Sequence, residues 1–592
     1  MLHSILNRRY SEKLRKNDYF CSSISNYLMK RAIFTIAFLM LTVLTWAQQQ
    51  DIDTLGLGVE AEAWFTRSDH TDKSRRLALI FNHEKFDIFG SLTFDDPLQV
   101  QEGSVLHTVQ GDSLWQRKYN LRKEWSGDGY TGKIGMNYHL HPNHHVGVTY
   151  LHIHTPAADD PGSHIGSVHI NGLHKLDLTE DITWRNGVVK TQQLNAYYRG
   201  QLQKTSIALD AEYYSRKENV NTVINADEGA GEIEASNSFR HKRTHVLALT
   251  LDLEHTLEHG SLNWGAAYLY TRRLDHHQPS STQPLEKNIF FYHRFIPYVN
   301  HTLEADGWQL STGLQFDSER HEAFWLPSVA LSKTIREAEI SLAYQTSVNR
   351  PLYNWMTTHV TYQSKYDREV GHAGLKSEYL HDISLKGTWK FIEGSIGYED
   401  LRHAVVQTAY QSEKSPYITY WTHNNLRSLK SAYATLTLSP EIGLWHPTLN
   451  VELRRQWLTL HTDYGRKDMN TPLLIASLSN ELNLGKGWLA EANFNFRSKG
   501  DARNVSYTKC SWTTDLSLSK SFLNDRLYVK VEGDDLFHGL REASRLYDKH
   551  TMLQQDMTFN SRHVIVTLRY SFNMTHRSYK GHEAGEAEKS RF

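Results

Sequence analysis

Proline is scarce, with 13 in 592 residues, and no stretch rich in proline, serine or glycine divides the chain, so the usual marks of linkers between soluble domains are missing. The two cysteines, Cys21 and Cys510, are too few for a disulfide framework. There is no excess of charge of one sign: 65 lysines and arginines stand against 66 acidic residues, which excludes the basic field that draws in nucleic acid. Past residue 47, charged or strongly polar residues recur every few positions, so nothing matches the run of about 20 apolar residues that a membrane-crossing helix needs. P-loop, dinucleotide, H-E-x-x-H and G-x-S-x-G motifs are absent, and no nucleophile is marked beside a base; neither an enzyme nor a cofactor is expected.

What the chain does have begins with an address. From Met29 the sequence "MKRAIFTIAFLMLTVLTWAQ" sets Lys30 and Arg31 before the apolar stretch Ala32 to Leu44, and Thr45-Trp46-Ala47 places small residues ahead of a cut at Gln48. This is the pattern of a secretory signal peptide, and its apolar stretch is too short to span a bilayer. The expected organisation is a leader at 1–28 that precedes the true start, a signal peptide at 29–47, a barrel at 48–573 and a periplasmic C-terminal tail at 574–592.

The mature chain alternates with a period of two. Ile207, Leu209, Ala211 and Tyr213 oppose Asp210, Glu212 and Tyr214; Leu247, Leu249, Leu251 and Leu253 oppose Thr250, Asp252 and Glu254; Val564, Val566, Leu568, Tyr570 and Phe572 oppose Arg562, Thr567, Arg569 and Ser571. A barrel with lipid outside and water inside gives this pattern while keeping the mean composition polar. About 22 strands can be placed, an even number, with 184–201, 204–216, 260–272 and 393–410 among them. Connections after even-numbered strands are tiny, such as 202–203, 305–307 and 335–336, whereas those after odd-numbered strands reach 95–130, 155–183, 217–238, 349–379 and 538–561. Short periplasmic turns and long extracellular loops segregate in this way, which makes the predicted fold all-β, a large antiparallel transmembrane β-barrel in the outer membrane. The short connection near 320–323 stands as an exception to the parity rule.

Several stretches in order, "FNHEKFDIFGSLTFDD", "GKIGMNYHLHPNHHVGVTYLH", "LNAYYRGQLQKTSIALDAEYYS", "FWLPSVALSKTI", "SLAYQTSVNRPLYNWM" and "LSLSKSFLNDRLYVKVEGDDLF", resemble the barrel portion of Bacteroidetes TonB-dependent receptors, the outer membrane protein β-barrel family. The resemblance departs at residues 371 to 378, "GHAGLKSE", where the family commonly reads G-N-P-x-L-K-P-E. It implies uptake of a solute energised through TonB and a plug domain, for which Gln48 to Thr54 leaves no room before the first strand. The implied partners are outer-membrane lipid, the barrel-assembly machinery, a separately encoded plug or surface lipoprotein, and a small or oligomeric solute. The alternative is a plugless pore or structural outer-membrane protein that TonB does not energise. Because no loop approaches the size of a plug domain, the lumen is expected to be open or filled by another chain.

Two residue groups invite a site. His139 and His141 share a face, but hairpin register carries His152 to about Lys133, roughly 20 Å from His139 at about 3.4 Å per residue, so solvated histidines rather than a metal are expected. Tyr353, Trp355, Tyr362, Tyr417, Tyr420 and Trp421 lie in two long loops, where aromatic rings either stack on a ligand or pack loop against loop.

Overall fold

The computed structural model describes residues 57–67, 71–82, 85–227, 233–280, 284–413, 415, 417–574 and 579–592. The leader, the signal peptide and the mature N-terminus up to residue 56 lie outside them. In the compact unit Gly58–Ile80 with Glu84–Phe592, twenty-two antiparallel strands follow one another around a ring. The ring closes where Leu57–Arg67 pairs with His563–Phe572, in register from Val59 opposite Phe572 to Arg67 opposite Val564. Closure leaves no row of unpaired backbone groups facing lipid.

Side-chain alternation fixes which face is which. Leu209, Tyr213, Leu247, Leu249, Leu251, Val531, Val564 and Leu568 are exposed on the outside, whereas Asp210, Glu212, Tyr214, Val246 and Ala248 are buried on the inside. Exposed Trp308, Trp389 and Trp488 sit beside the short turns, and exposed Phe94, Trp325 and Trp457 lie towards the other end, giving the two aromatic girdles of an outer-membrane barrel. Gln203, Arg336 and Lys390, in the short turns, have φ near +50°, the left-handed geometry that matches a tight hairpin to the twist of its strands. The short connection near 320 is likewise a two-residue turn, with Arg320 at φ 57° between Trp308–Glu319 and Glu322–Ile335.

The long loops contain β structure that period-two reading of the wall does not reveal. Strands Thr205–Asp227 and Ile233–Leu257 run to 23 and 25 residues, about twice the roughly 9–11 needed to cross the membrane, and so rise well above it. Beside them a second tier of hairpins continues the ladder: Leu173–Asn186 pairs with Thr205–Asp227 and with Ala158–Ile170, which pairs with Leu114–Ser126. Leu114–Ser126 pairs in turn with Leu98–Gln110, that strand with Thr551–Phe559, and the row continues to Arg541–Tyr547 and Val505–Tyr507. The strand expected at 184–201 is therefore two, Leu173–Asn186 in this tier and Val189–Leu202 in the wall; those expected at 204–216 and 260–272 continue to Asp227 and Gln278.

The strand expected at 393–410 is also two. Ile392–Arg402 belongs to the wall, His403 turns at φ 55°, and Val405–Gln411 departs into a separate four-stranded sheet with Val360–Tyr362, Asp367–Val370 and Thr419–Asn425. Ala404, Val405 and Val406 are all buried, which breaks the alternation of a wall strand. This sheet springs from one side of the ring and meets hairpins rooted on the other, so it lies across the mouth as a lid.

The final segment does not hang free as a tail. Tyr579 meets Tyr197 edge-on at 4.8 Å, close to a short-turn end of the wall, and Phe592 stacks on Tyr353 at 5.2 Å beneath the lid. Between them the segment lies against lumen-facing Asp210, Glu212 and Glu319 and supplies donors to all three carboxylates. The expectation of an open or foreign-filled lumen is thus corrected in this respect: the chain itself occupies part of it.

Candidate functional site

The lid is locked to the tall hairpins around one buried charge pair. His107 and Arg117 face each other across the hairpin Leu98–Ser126 and are almost fully buried, and Asp367 of the lid forms an ion pair with Arg117. The Asp367 carboxylate also accepts from Trp421 Nε1 at 3.1 Å and Ser364 Oγ at 3.0 Å. Burial opposes its charge, but Arg117, His107 and these donors outweigh that and hold it well below the usual carboxylate range. Burial pushes His107 down to about 4; Asp367 pulls the other way and Arg117 adds to the fall. Trp115, Tyr119 and Tyr366 place rings 5.0 to 5.7 Å from the Arg117 guanidinium. Lys365 N donates to Glu180 at 2.9 Å, and Glu180 in turn pairs with His164, so the hairpin Ala158–Asn186 holds the lid as well.

The lid's opposite edge is held by Glu378. Its carboxylate accepts from Val405 N at 2.6 Å, Asn349 Nδ2 at 2.9 Å and both terminal nitrogens of Arg503, at 2.6 and 3.2 Å. Ala409 N donates to Asp548 at 3.0 Å, and Asn504 Nδ2 to Gln407 O at 2.7 Å. The stretch 371–378 lies at the lid's root. Gly371 N donates to Thr357 O, and a Cβ on Gly371 would lie 2.2 Å from that oxygen, so only glycine fits. Ser377 and Arg350 bind Glu322 just beyond the tight turn at Arg320, where the low rim lets the chain pass inward.

Five of the six sequence-selected aromatics lie in or beside the lid. Tyr420 stacks on Tyr410 at 5.2 Å and accepts from Arg368 NH1 at 2.8 Å, while Tyr362 lies 4.9 Å from the same guanidinium. Tyr417 meets Trp115 at 5.8 Å, Trp355 stacks on His423 at 4.4 Å, and Trp421 is buried against Asp367 and His107. Tyr353 sits apart, fully buried between Tyr292 and Phe592. Sequence reading missed His107, Arg117, Asp367, Glu378 and Arg503, which lie far apart along the chain. The available signal was the alternation of Leu114–Ser126, which turns Arg117 inward with Trp115 and Tyr119.

Among the described residues no group of three or more histidine, cysteine or carboxylate side chains is arranged to hold a metal. His139 Nδ1 lies 2.7 Å from His145 Nδ1, and its Nε2 lies 3.3 Å from Asp87. An irregularity between His139 and His141 shifts the hairpin so that His152 faces Gly132 rather than Lys133.

Residues 200–570 match the family model described as the outer membrane protein beta-barrel family. The chain belongs to that family. It is therefore an integral outer-membrane barrel. Its fold is similar to that of the siderophore receptor PirA from Pseudomonas aeruginosa, at 11% identity and TM-score 0.53, covering 87% of this chain and 80% of the receptor. A mutant of the ferric enterobactin receptor PfeA from the same organism, in complex with enterobactin, gives 11% identity and TM-score 0.55 over 88% and 82%. The FrpB iron transporter from Neisseria meningitidis gives 14% identity and TM-score 0.52 over 88% and 82%. These neighbours are receptors and transporters, and at such identity they share the fold alone. A search of curated protein sequences finds no match.

Proposed function

We propose that the chain is a gated barrel of the TonB-dependent receptor type, taking up a solute too large for ordinary porins, with the four-stranded lid as its gate. The observation that carries this reading is that, among the described residues, the lid's strands pair only with one another, while named side chains hold the lid to the hairpins around it. A cover attached in this way can be released without breaking the wall. Energy would come from TonB acting on a plug supplied by a separate chain, and a surface lipoprotein would dock over the lid. The aromatics Tyr362 and Tyr420, beside Arg368, and Tyr417, beside Trp115, are the groups that an incoming solute would meet first.

The test is conductance in a planar bilayer. The intact barrel should be quiet, and releasing the lid through Asp367→Ala should produce large, weakly selective steps, since Glu491, Lys530 and Glu532 line the wall in mixed sign. Steady conduction by the unaltered protein would overturn the gate and favour a passive pore.

A further inference from the structure

The inner wall carries a row of carboxylates that are deeply buried although they face the lumen: Asp210 and Glu212 at 1% exposure and Glu319 at 5%. Such a cluster is unfavourable without cationic or N–H partners, and Arg199, bound to Asp210, is one wall cation beside it. The segment after the last strand supplies the rest. His582 N donates to Asp210 at 2.9 Å and Gly585 N to Glu212 at 2.9 Å. Lys589 Nζ lies 2.6 Å from Glu212, and Arg591 binds Glu319 through two nitrogens at 2.9 and 3.2 Å.

The contacts are those of a bound peptide rather than a strand added to the sheet. Tyr353 N donates to Arg591 O at 2.9 Å, and Arg591 Nε donates to Pro351 O at 3.2 Å. Tyr353 and Thr271 hydroxyls both donate to Glu588, at 2.5 and 2.8 Å. Phe592 is sandwiched between Tyr353 at 5.2 Å and Tyr214 at 6.1 Å, both rings nearly parallel to it. Val246 and Ala248, fully buried, form an apolar floor beside the row. Backbone N–H groups, an ammonium, a guanidinium and an aromatic ring therefore each have a dedicated place on the wall.

We propose that this strip of inner wall is a binding site for a peptide that presents a lysine, an arginine and an aromatic ring spaced as Lys589, Arg591 and Phe592 are, and that residues 579–592, with as many acidic as basic side chains, are its tethered occupant. The inference rests on the reading of the barrel as an uptake receptor and names a solute class for it: oligopeptides that carry this lysine, arginine and aromatic set, which enter by displacing the segment. Selectivity follows from the geometry, because a carboxylate in the place of Lys589 or Arg591 would stand against Glu212 or Glu319.

The test uses the full chain and a form ending at Met574, both checked for heat-modifiable migration as a sign of a closed barrel. A fluorescent synthetic peptide of residues 579–592 should bind the shortened barrel and not the full chain. Glu212→Gln and Glu319→Gln in the barrel should each weaken binding by about tenfold or more, as expected for lost charge-assisted hydrogen bonds. A peptide with Lys589→Glu and Arg591→Glu should not bind. If the shortened form does not assemble, the full chain carrying Lys589→Glu and Arg591→Glu serves instead, since its own segment is then displaced by the unaltered peptide. No binding to either form, or equal binding of the charge-reversed peptide, overturns the site. A shortened barrel that passes solute yet ignores the peptide sinks the site and leaves the uptake reading; one that binds the peptide yet never conducts after lid release does the reverse.

Discussion

On one side of the mouth, the hairpins Leu98–Ser126, Ala158–Asn186 and Arg541–Phe559 carry the wall upward by unbroken backbone pairing; from the other side, where the rim drops to a two-residue turn at Arg320, the lid crosses on side-chain contacts. A ladder and a lock fail differently. In the ladder each residue pair adds a modest increment, of about 0.5–1.5 kcal/mol per hydrogen bond, and no single substitution opens it. In the lock a few buried charges concentrate the energy, so one substitution can release the lid while the tall side stands.

The largest effect should come from breaking that lock. Asp367→Ala leaves Arg117 buried without its carboxylate and should cost the docked lid about 3–5 kcal/mol. Limited proteolysis at Lys365 and Arg368 should become fast while heat-modifiable migration of the barrel is retained. Loss of barrel assembly in this variant would show that lid and wall are not separable.

Next in size is a change on the wall itself. Val566 pairs with Phe65 and Val531, both exposed on the outer face, so Val566→Arg should cost about 2–4 kcal/mol near the midplane. Thr567 pairs with Trp64 and Lys530 on the inner face, and Thr567→Arg should cost little. Equal assembly yields for the two would contradict the assigned faces.

These two substitutions also mark what could be read from the sequence. The wall was legible because lipid and water impose a period of two on every strand, so Val566 and Thr567 declare their faces without any knowledge of their neighbours. The second tier was not, since it has water outside and packed loops inside, and segments such as Leu98–Gln110 mix buried His107, Thr108 and Val109 in one run. The lid lock joins Arg117 to Asp367 and Trp421, and the lumen seat joins Glu212 and Glu319 to Lys589 and Arg591. Nothing local links those residues; only barrel closure brings them together. Tyr420 and Trp421 were found because large rings stand out in a polar loop, though their roles differ: one ring is half-buried in a stack and the other is sealed in the lock.

Acidification should loosen the lid more gently. Burial lowers His107 to about 4, and burial together with Arg503 lowers His423 to about 4, against an ordinary value of 6.5. A released lid takes up these protons first, so docking is at full strength above about pH 6.5 and is lost progressively as pH falls towards 4. Lid protection against proteolysis, followed between pH 7 and 4.5, should fall across that window, and His107→Gln should flatten the curve. A protection curve that rises on acidification would contradict the neutral, buried state of both rings.

The smallest effect is expected at the lid's outer surface, and it bears on whether the lid only closes the barrel or also recognises something. Tyr410 and Tyr420 stack at 5.2 Å with their planes 7° apart, and Tyr410 is 48% exposed. Tyr420 is further fixed by Arg368, whose guanidinium lies 5.5 Å from its ring and donates to its hydroxyl. An exposed aromatic pair of this kind is worth about 0.5–1.5 kcal/mol beyond its buried area. If the pair serves packing, Tyr410→Leu should reduce lid protection only a few-fold and solute uptake by no more than that. Asp367→Ala sets the scale for complete release, so the two variants can be compared on one assay. Should Tyr410→Leu leave protection unchanged and still abolish uptake or solute binding, the stack belongs to recognition, and the side of the mouth held by a lock would then carry the receptor surface as well as the gate.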